Sequence, residues 1–127
     1  MDTQTIERTT LSNLIYNENY ARKVLPFIKG KYFDVREERI IFEEISNFVD
    51  KYKKIPTQTS LEIEVGERKD LSEIEYKKVV DIIKTLNPVE VDFDWLVDHT
   101  EKFCKDKAIH NATVSYTHLR AHETRTH

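Results

Sequence analysis

The first question is which side chains could perform chemistry, and the carboxylates are the most numerous candidates. Asp and Glu total 23 against 20 Lys and Arg, with a formal net charge of −3. Glu37, Glu38, Glu43, Glu44, Glu62, Glu64, Glu73 and Glu75 fall beside helix starts or on polar helix faces, where they read as solvated charge. General acid–base work needs two carboxyls held together in an apolar pocket, and no such pair is expected here. His118 and His122 have the i, i+4 spacing of a helix-borne metal pair, with Glu123 adjacent, but no third ligand is well placed, so no metal is expected. His99 and His110 stand singly in the last helical stretch and read as surface or interface groups. The single cysteine, Cys104, lies in an amphipathic stretch with no motif around it, which points to packing rather than nucleophilic attack. No catalytic or cofactor-binding residue is assigned.

Glycine occurs only twice, at Gly30 and Gly66, so neither a Walker A loop nor a dinucleotide-binding loop can be written anywhere in this chain. One cysteine also excludes an intrachain disulfide. The basic residues are interspersed with acids. The densest basic run, Lys51, Lys53 and Lys54, suits the C-terminal end of a helix better than a phosphate-binding surface. The first ten residues, MDTQTIERTT, lack the apolar core of a signal peptide, and no run approaches a membrane span.

The elements that would position these groups are helical. Two glycines, three prolines and recurrent Glu, Lys, Ile, Leu and Arg favour an all-α fold of about six helices, built on the 39% apolar content. A first helix is expected over residues 6–16, carrying Leu11, Leu14 and Ile15. A second carries Tyr20, Val24, Leu25 and Ile28, with Pro26 kinking or delaying it and Gly30 ending it. Tyr32 and Phe33 form an aromatic corner, with Asp34 as the expected cap of a third helix over 35–52. Ile41, Ile45, Phe48 and Tyr52 share one face of that helix, which places it at the centre of the core. Ile55-Pro56 breaks the chain, and Thr57 or Thr59 caps a short fourth helix burying Leu61 and Val65. Ser72 and Glu75 form a capping box for a fifth helix along Tyr76, Val79, Val80, Ile83 and Leu86, stopped by Asn87-Pro88. Asp92 or Asp94 caps the sixth.

Residues 1–114 form one domain in this reading, and 115–127 stand apart. The stretch SYTHLRAHETRTH continues no apolar period and resembles translated read-through of a sequencing adapter, which would make the chain a truncated piece with a non-native tail. Aromatic residues are numerous for a small domain. Most belong to the core, but some are expected at a protein–protein surface. The sixth helix spreads Leu96, Val97, Phe103, Cys104, Ala108 and Ile109 over more than one stripe, and its candidate interface residues are Trp95, Phe103 and Ile109.

Four stretches carry a family likeness: LSNLIYNENYARKVLPFIKGKYF at 11–33, FEEISNFVDKYKKIPT at 42–57, LSEIEYKKVVDIIKTL at 71–86 and DWLVDHTEKFCKDKAIHNA at 94–112. In order and spacing they resemble the N-terminal domain of hexameric replicative helicases of the DnaB type, most closely the T-even-like bacteriophage form. The resemblance implies a compact helical bundle whose last helix is the first arm of a truncated helical hairpin. It implies a parent protein that unwinds DNA with ATP and Mg through a RecA-like C-terminal domain absent here. It further implies self-association into a ring, primase and helicase-loader partners, DNA contact through the absent domain, no membrane, and the cytoplasm of a bacterial host. The alternative reading is an independent small helical adaptor or regulatory DNA-binding protein. Glu62, Glu64 and Glu67 after Pro56 weigh against a DNA-reading helix at that position.

Overall fold

The computed structural model describes the backbone of residues 3–123 and the side chains of residues 6–112. Six α-helices occur in the order α1 Thr3–Tyr16, α2 Glu18–Val24, α3 Arg36–Tyr52, α4 Gln58–Gly66, α5 Glu73–Thr85 and α6 Phe93–Glu123. A 3-10 turn at Gly30–Tyr32 joins α2 to α3, and no strand occurs among the described residues. The all-α, six-helix architecture expected from composition is the one observed.

Helix ends follow local chemistry at most positions. The Asn17 side chain accepts from the Tyr20 N–H and opens α2. Thr57 accepts from Ser60 and opens α4. Ser72 and Glu75 make the reciprocal capping box at the start of α5. Asp92, the first of the two expected caps, accepts from the Trp95 N–H at 2.9 Å and opens α6.

Three details differ from the sequence reading. First, α2 ends at Val24, before Pro26, and Ile28 is buried from the connection that follows; Gly30 begins the 3-10 turn rather than terminating a helix. Second, α3 is entered through Val35 with no side-chain cap. Asp34 is instead drawn outward by Lys107 of α6, at 2.5 Å. Third, the apolar stripe of α3 is buried only along its first half. Ile41 and Ile45 are fully enclosed, while Phe48 and Tyr52 meet each other at a tilt, with centroids 4.7 Å apart, at an end where Tyr52 is exposed. Neighbouring helices cover the start of α3 but not its last turn. That turn closes on Lys53 in the left-handed conformation, φ 60°, with its N–H on the Val49 carbonyl.

α3 packs against α1, α4, α5 and the 3-10 turn, and α6 lies across α1, α2 and the same turn. Leu11, Leu14, Phe33, Ile41, Ile45, Leu61, Val79, Ile83, Leu86 and Leu96 form the interior. Gln58 donates to the Ile83 and Leu86 carbonyls, closing the C-terminal end of α5 against α4. Arg68 binds Glu44 of α3 and Asp70, fastening the end of α4. Phe33 stacks on Phe42 at 5.3 Å and meets Phe103 at 5.9 Å, so one aromatic row joins α3 to α6. No helix is long and apolar enough to cross a membrane among the described residues.

α6 continues as helix to Glu123, although the apolar period ends earlier. Residues 113–123 contain neither glycine nor proline, so nothing in the backbone chemistry interrupts the helix. The side chains of the proposed tail, His118 and His122 among them, lie outside the described residues.

Candidate assembly surface on helix α6

The inward face of α6 is set by Leu96, Thr100, Phe103 and Cys104, spaced four, three and one residues apart, all buried. Thr100 donates to the Leu96 carbonyl at 2.8 Å. Its hydroxyl has one proton, so in the 2.5 Å contact with Tyr20 the phenol is the donor. Burial pushes the Tyr20 phenol up to about 12, which keeps that proton in place. This buried bond ties α6 to α2. Cys104 is enclosed beside it. Burial, with the nearby Glu101 charge, raises its thiol to about 12, leaving an inert packing group, as its surroundings in the sequence suggested.

The three candidate interface residues are placed differently. Trp95 is 36% exposed and stacks on His99, with centroids 4.0 Å apart. The His99 ring also meets the Trp95 carbonyl at 3.0 Å. Ile109 is 65% exposed, beyond the reach of the bundle. Phe103 is 6% exposed and belongs to the Phe33–Phe42 aromatic row, so it packs α6 against the core. The loop entering α6 adds apolar surface that the sequence reading did not single out: Val89, Val91 and Phe93 are exposed, alternating with Glu90, Asp92 and Asp94. An open cavity of about 450 Å³ lies between α6 and the start of α1, bounded by Ile6, Asp34, His99, Phe103 and Lys107.

A paired-carboxyl arrangement is present, contrary to expectation. Glu7 of α1 is 2% exposed, Glu38 of α3 is 0% exposed, and the two carboxyls are close enough to act on each other. Arg8 binds Glu38 Oε2, and the Asp34 N–H points to Glu7 Oε1 at 3.4 Å. Burial, the Glu38 hydrogen bond and the Glu38 and Asp34 charges together push Glu7 from 4.5 to about 7, against the lowering effect of the Asp34 N–H. The signal was available in the spacing. Glu7 lies in register with Leu11 and Leu14, and Glu38 with Ile41, Phe42 and Ile45, on faces that had to be buried. The pair is enclosed between α1 and α3, and neither carboxyl lines the cavity beside α6. Among the described residues, no cluster of three or more His, Cys, Asp or Glu could hold a metal ion.

No family model matches the chain. Over 103 residues, 81% of its length, it is 33% identical to a DnaB-like replicative helicase of Enterobacteria phage T4, and the match spans 22% of that protein. At that identity, over most of its length, the chain is homologous to a part of a DnaB-like replicative helicase.

Proposed function

We propose that the chain is the N-terminal domain of a bacteriophage replicative helicase of the DnaB type, and that its work is assembly and primase interaction, not catalysis. The single observation carrying this reading is the 33% identity to the phage T4 helicase across most of this chain but only about a fifth of that protein. A piece of that size is a domain, and this one, with glycine only at Gly30 and Gly66, cannot write a phosphate-binding loop. ATP, Mg and DNA therefore belong to the remainder of the parent protein, which works in the cytoplasm of the bacterial host. Residues 115–127 are proposed to be a non-native tail.

The surface proposed for assembly is the outer side of α6 with the loop before it. Trp95 and Ile109, with Val89, Val91 and Phe93, place apolar area in water that this bundle leaves uncovered. Ring formation, primase docking and loader contact are assigned to the parent protein. Sedimentation of the full-length gene product, with and without ATP and Mg, tests the reading. A ring-sized species is expected, and Ile109→Asp should lower the mass or weaken the association. A strict monomer under both conditions, unchanged by that substitution, overturns it.

A further inference from the structure

The strongest chemical feature outside the assembly surface is the carboxyl pair between α1 and α3. Its atoms can be accounted for one by one. Glu38 Oε2 receives Arg8. Glu7 Oε1 receives the Asp34 N–H. Glu38 Oε1 is buried and has no donor from any nitrogen or hydroxyl among the described residues. A proton on Glu7 Oε2 completes the arrangement, since two ionised carboxylates would leave Glu38 Oε1 without a donor and facing like charge. We infer that Glu7 and Glu38 form a proton-binding site, in which one proton held on Glu7 and directed at Glu38 Oε1 fastens the first turns of α1 to α3, and whose loss releases them.

The charged surroundings support a two-state element. From α1, Arg8 neutralises Glu38. From the connection before α3, Asp34 adds negative charge beside Glu7, and Lys107 of α6 offsets it at 2.5 Å. From α3, Arg39 turns away, its Nη2 donating to the Phe33 carbonyl at 3.1 Å. His99, Lys102, Asp106 and His110 of α6 line the cavity next to Ile6, which gives water a route to the first turn of α1. With the proton in place the junction holds Glu38 and Asp34 against Arg8 and Lys107, in balance. Without it a second carboxylate is buried beside Glu38 with no cation of its own, and the relief available is movement of α1 toward the cavity.

Burial and the neighbouring Glu38 carboxyl push Glu7 up to about 7, inside the physiological range. The unfolded chain releases the Glu7 proton near 4.5 and the folded chain near 7, so the folded state binds more protons between those values. Stability from this site is complete below 4.5 and is lost as the pH rises through about 7. Glu7→Gln is the informative variant. Its amide can donate permanently to Glu38 Oε1 while its carbonyl accepts from Asp34. In the 127-residue chain, carbon-13 NMR of the glutamate carboxyls should show a midpoint near 7 for Glu7. The unfolding equilibrium constant should rise on the order of 50-fold between about pH 5 and 8 from this site. Amides of residues 10–16 should exchange faster at the higher pH than intrinsic chemistry explains. In Glu7→Gln the rise and the excess exchange should vanish. A Glu7 midpoint below about 5 in the unmutated chain overturns the proton site, whatever the variant does. A midpoint near 7 with unchanged exchange in α1, or a variant that keeps the full pH dependence, overturns the release.

Discussion

The buried Tyr20–Thr100 bond makes an asymmetric prediction about what holds α6 in place. Both residues are fully enclosed, and each belongs to a different helix. Thr100 spends its proton on the Leu96 carbonyl, so Tyr20 donates and Thr100 accepts. Thr100→Val removes the oxygen that accepts from Tyr20 and leaves the buried phenol only the Thr10 hydroxyl, itself buried without another partner, to turn to. The expected cost is about 1–3 kcal/mol, because the donor cannot recover its water. Tyr20→Phe removes the donor and leaves the Thr100 proton on Leu96, so the cost should be nearer 1 kcal/mol, the net value of one hydrogen bond. In the double variant no donor is stranded. Its loss should not exceed that of Thr100→Val alone, which gives a coupling of about 1–2 kcal/mol. Urea melts followed by far-ultraviolet circular dichroism supply the four free energies, with the dependence on urea required to stay constant across the set. Additive single losses, or a larger loss for Tyr20→Phe than for Thr100→Val, would refute the assigned direction of the bond and the role given to it.

Ile45→Ala, at a fully enclosed position of α3, should cost about 2–4 kcal/mol by leaving a cavity; a loss under about 0.5 kcal/mol in the same melts would remove that residue from the core. Lys53→Gly should stabilise the chain by up to about 1 kcal/mol, since a lysine occupies the left-handed position that ends α3; a lowered melting temperature would contradict that origin. Deleting residues 115–127 should leave the melting temperature unchanged within error, and a fall of several degrees would show that the proposed tail packs on the bundle. The purified chain should hydrolyse no ATP, and dose-dependent turnover surviving contaminant controls would overturn the assignment of that chemistry to the rest of the parent.

The helices were legible because each start carries a residue whose side chain replaces a missing backbone partner, or an apolar period that leaves few alternatives. Thr57, the Ser72–Glu75 box and Asp92 are of the first kind, and Ile41–Ile45 and Val79–Ile83 are of the second. Asp34 failed as a cap for a reason no local pattern contains. Its competitor for hydrogen bonding, Lys107, is 73 residues away in sequence and arrives only when α6 lies across the turn. Phe48 and Tyr52 sit on the correct face of α3, but periodicity gives the direction of a face and not the length of the neighbour that covers it. Here the neighbours stop short, and the two rings pack against each other at a tilt instead.

The same limit governs the functional residues. Phe103, Trp95 and Ile109 are all large apolar side chains on one helix, and nothing in their types separates an anchor from an interface. Phe103 becomes an anchor because Phe33 stands opposite it, and Phe33 is delivered by the 3-10 turn, not by α6. The Glu7–Glu38 pair shows the opposite failure. Both acids lie on faces whose other members are core residues, yet acids are so commonly solvated that the composition hid them. A charged residue in phase with a buried stripe is therefore the more informative signal of the two. An apolar residue on such a stripe can pack in many ways, whereas a carboxylate there must find a cation, a donor or a proton. In this chain Glu38 finds Arg8, Glu7 finds the Asp34 N–H, and the two oxygens left over, Glu38 Oε1 and Glu7 Oε2, are where a shared proton fits.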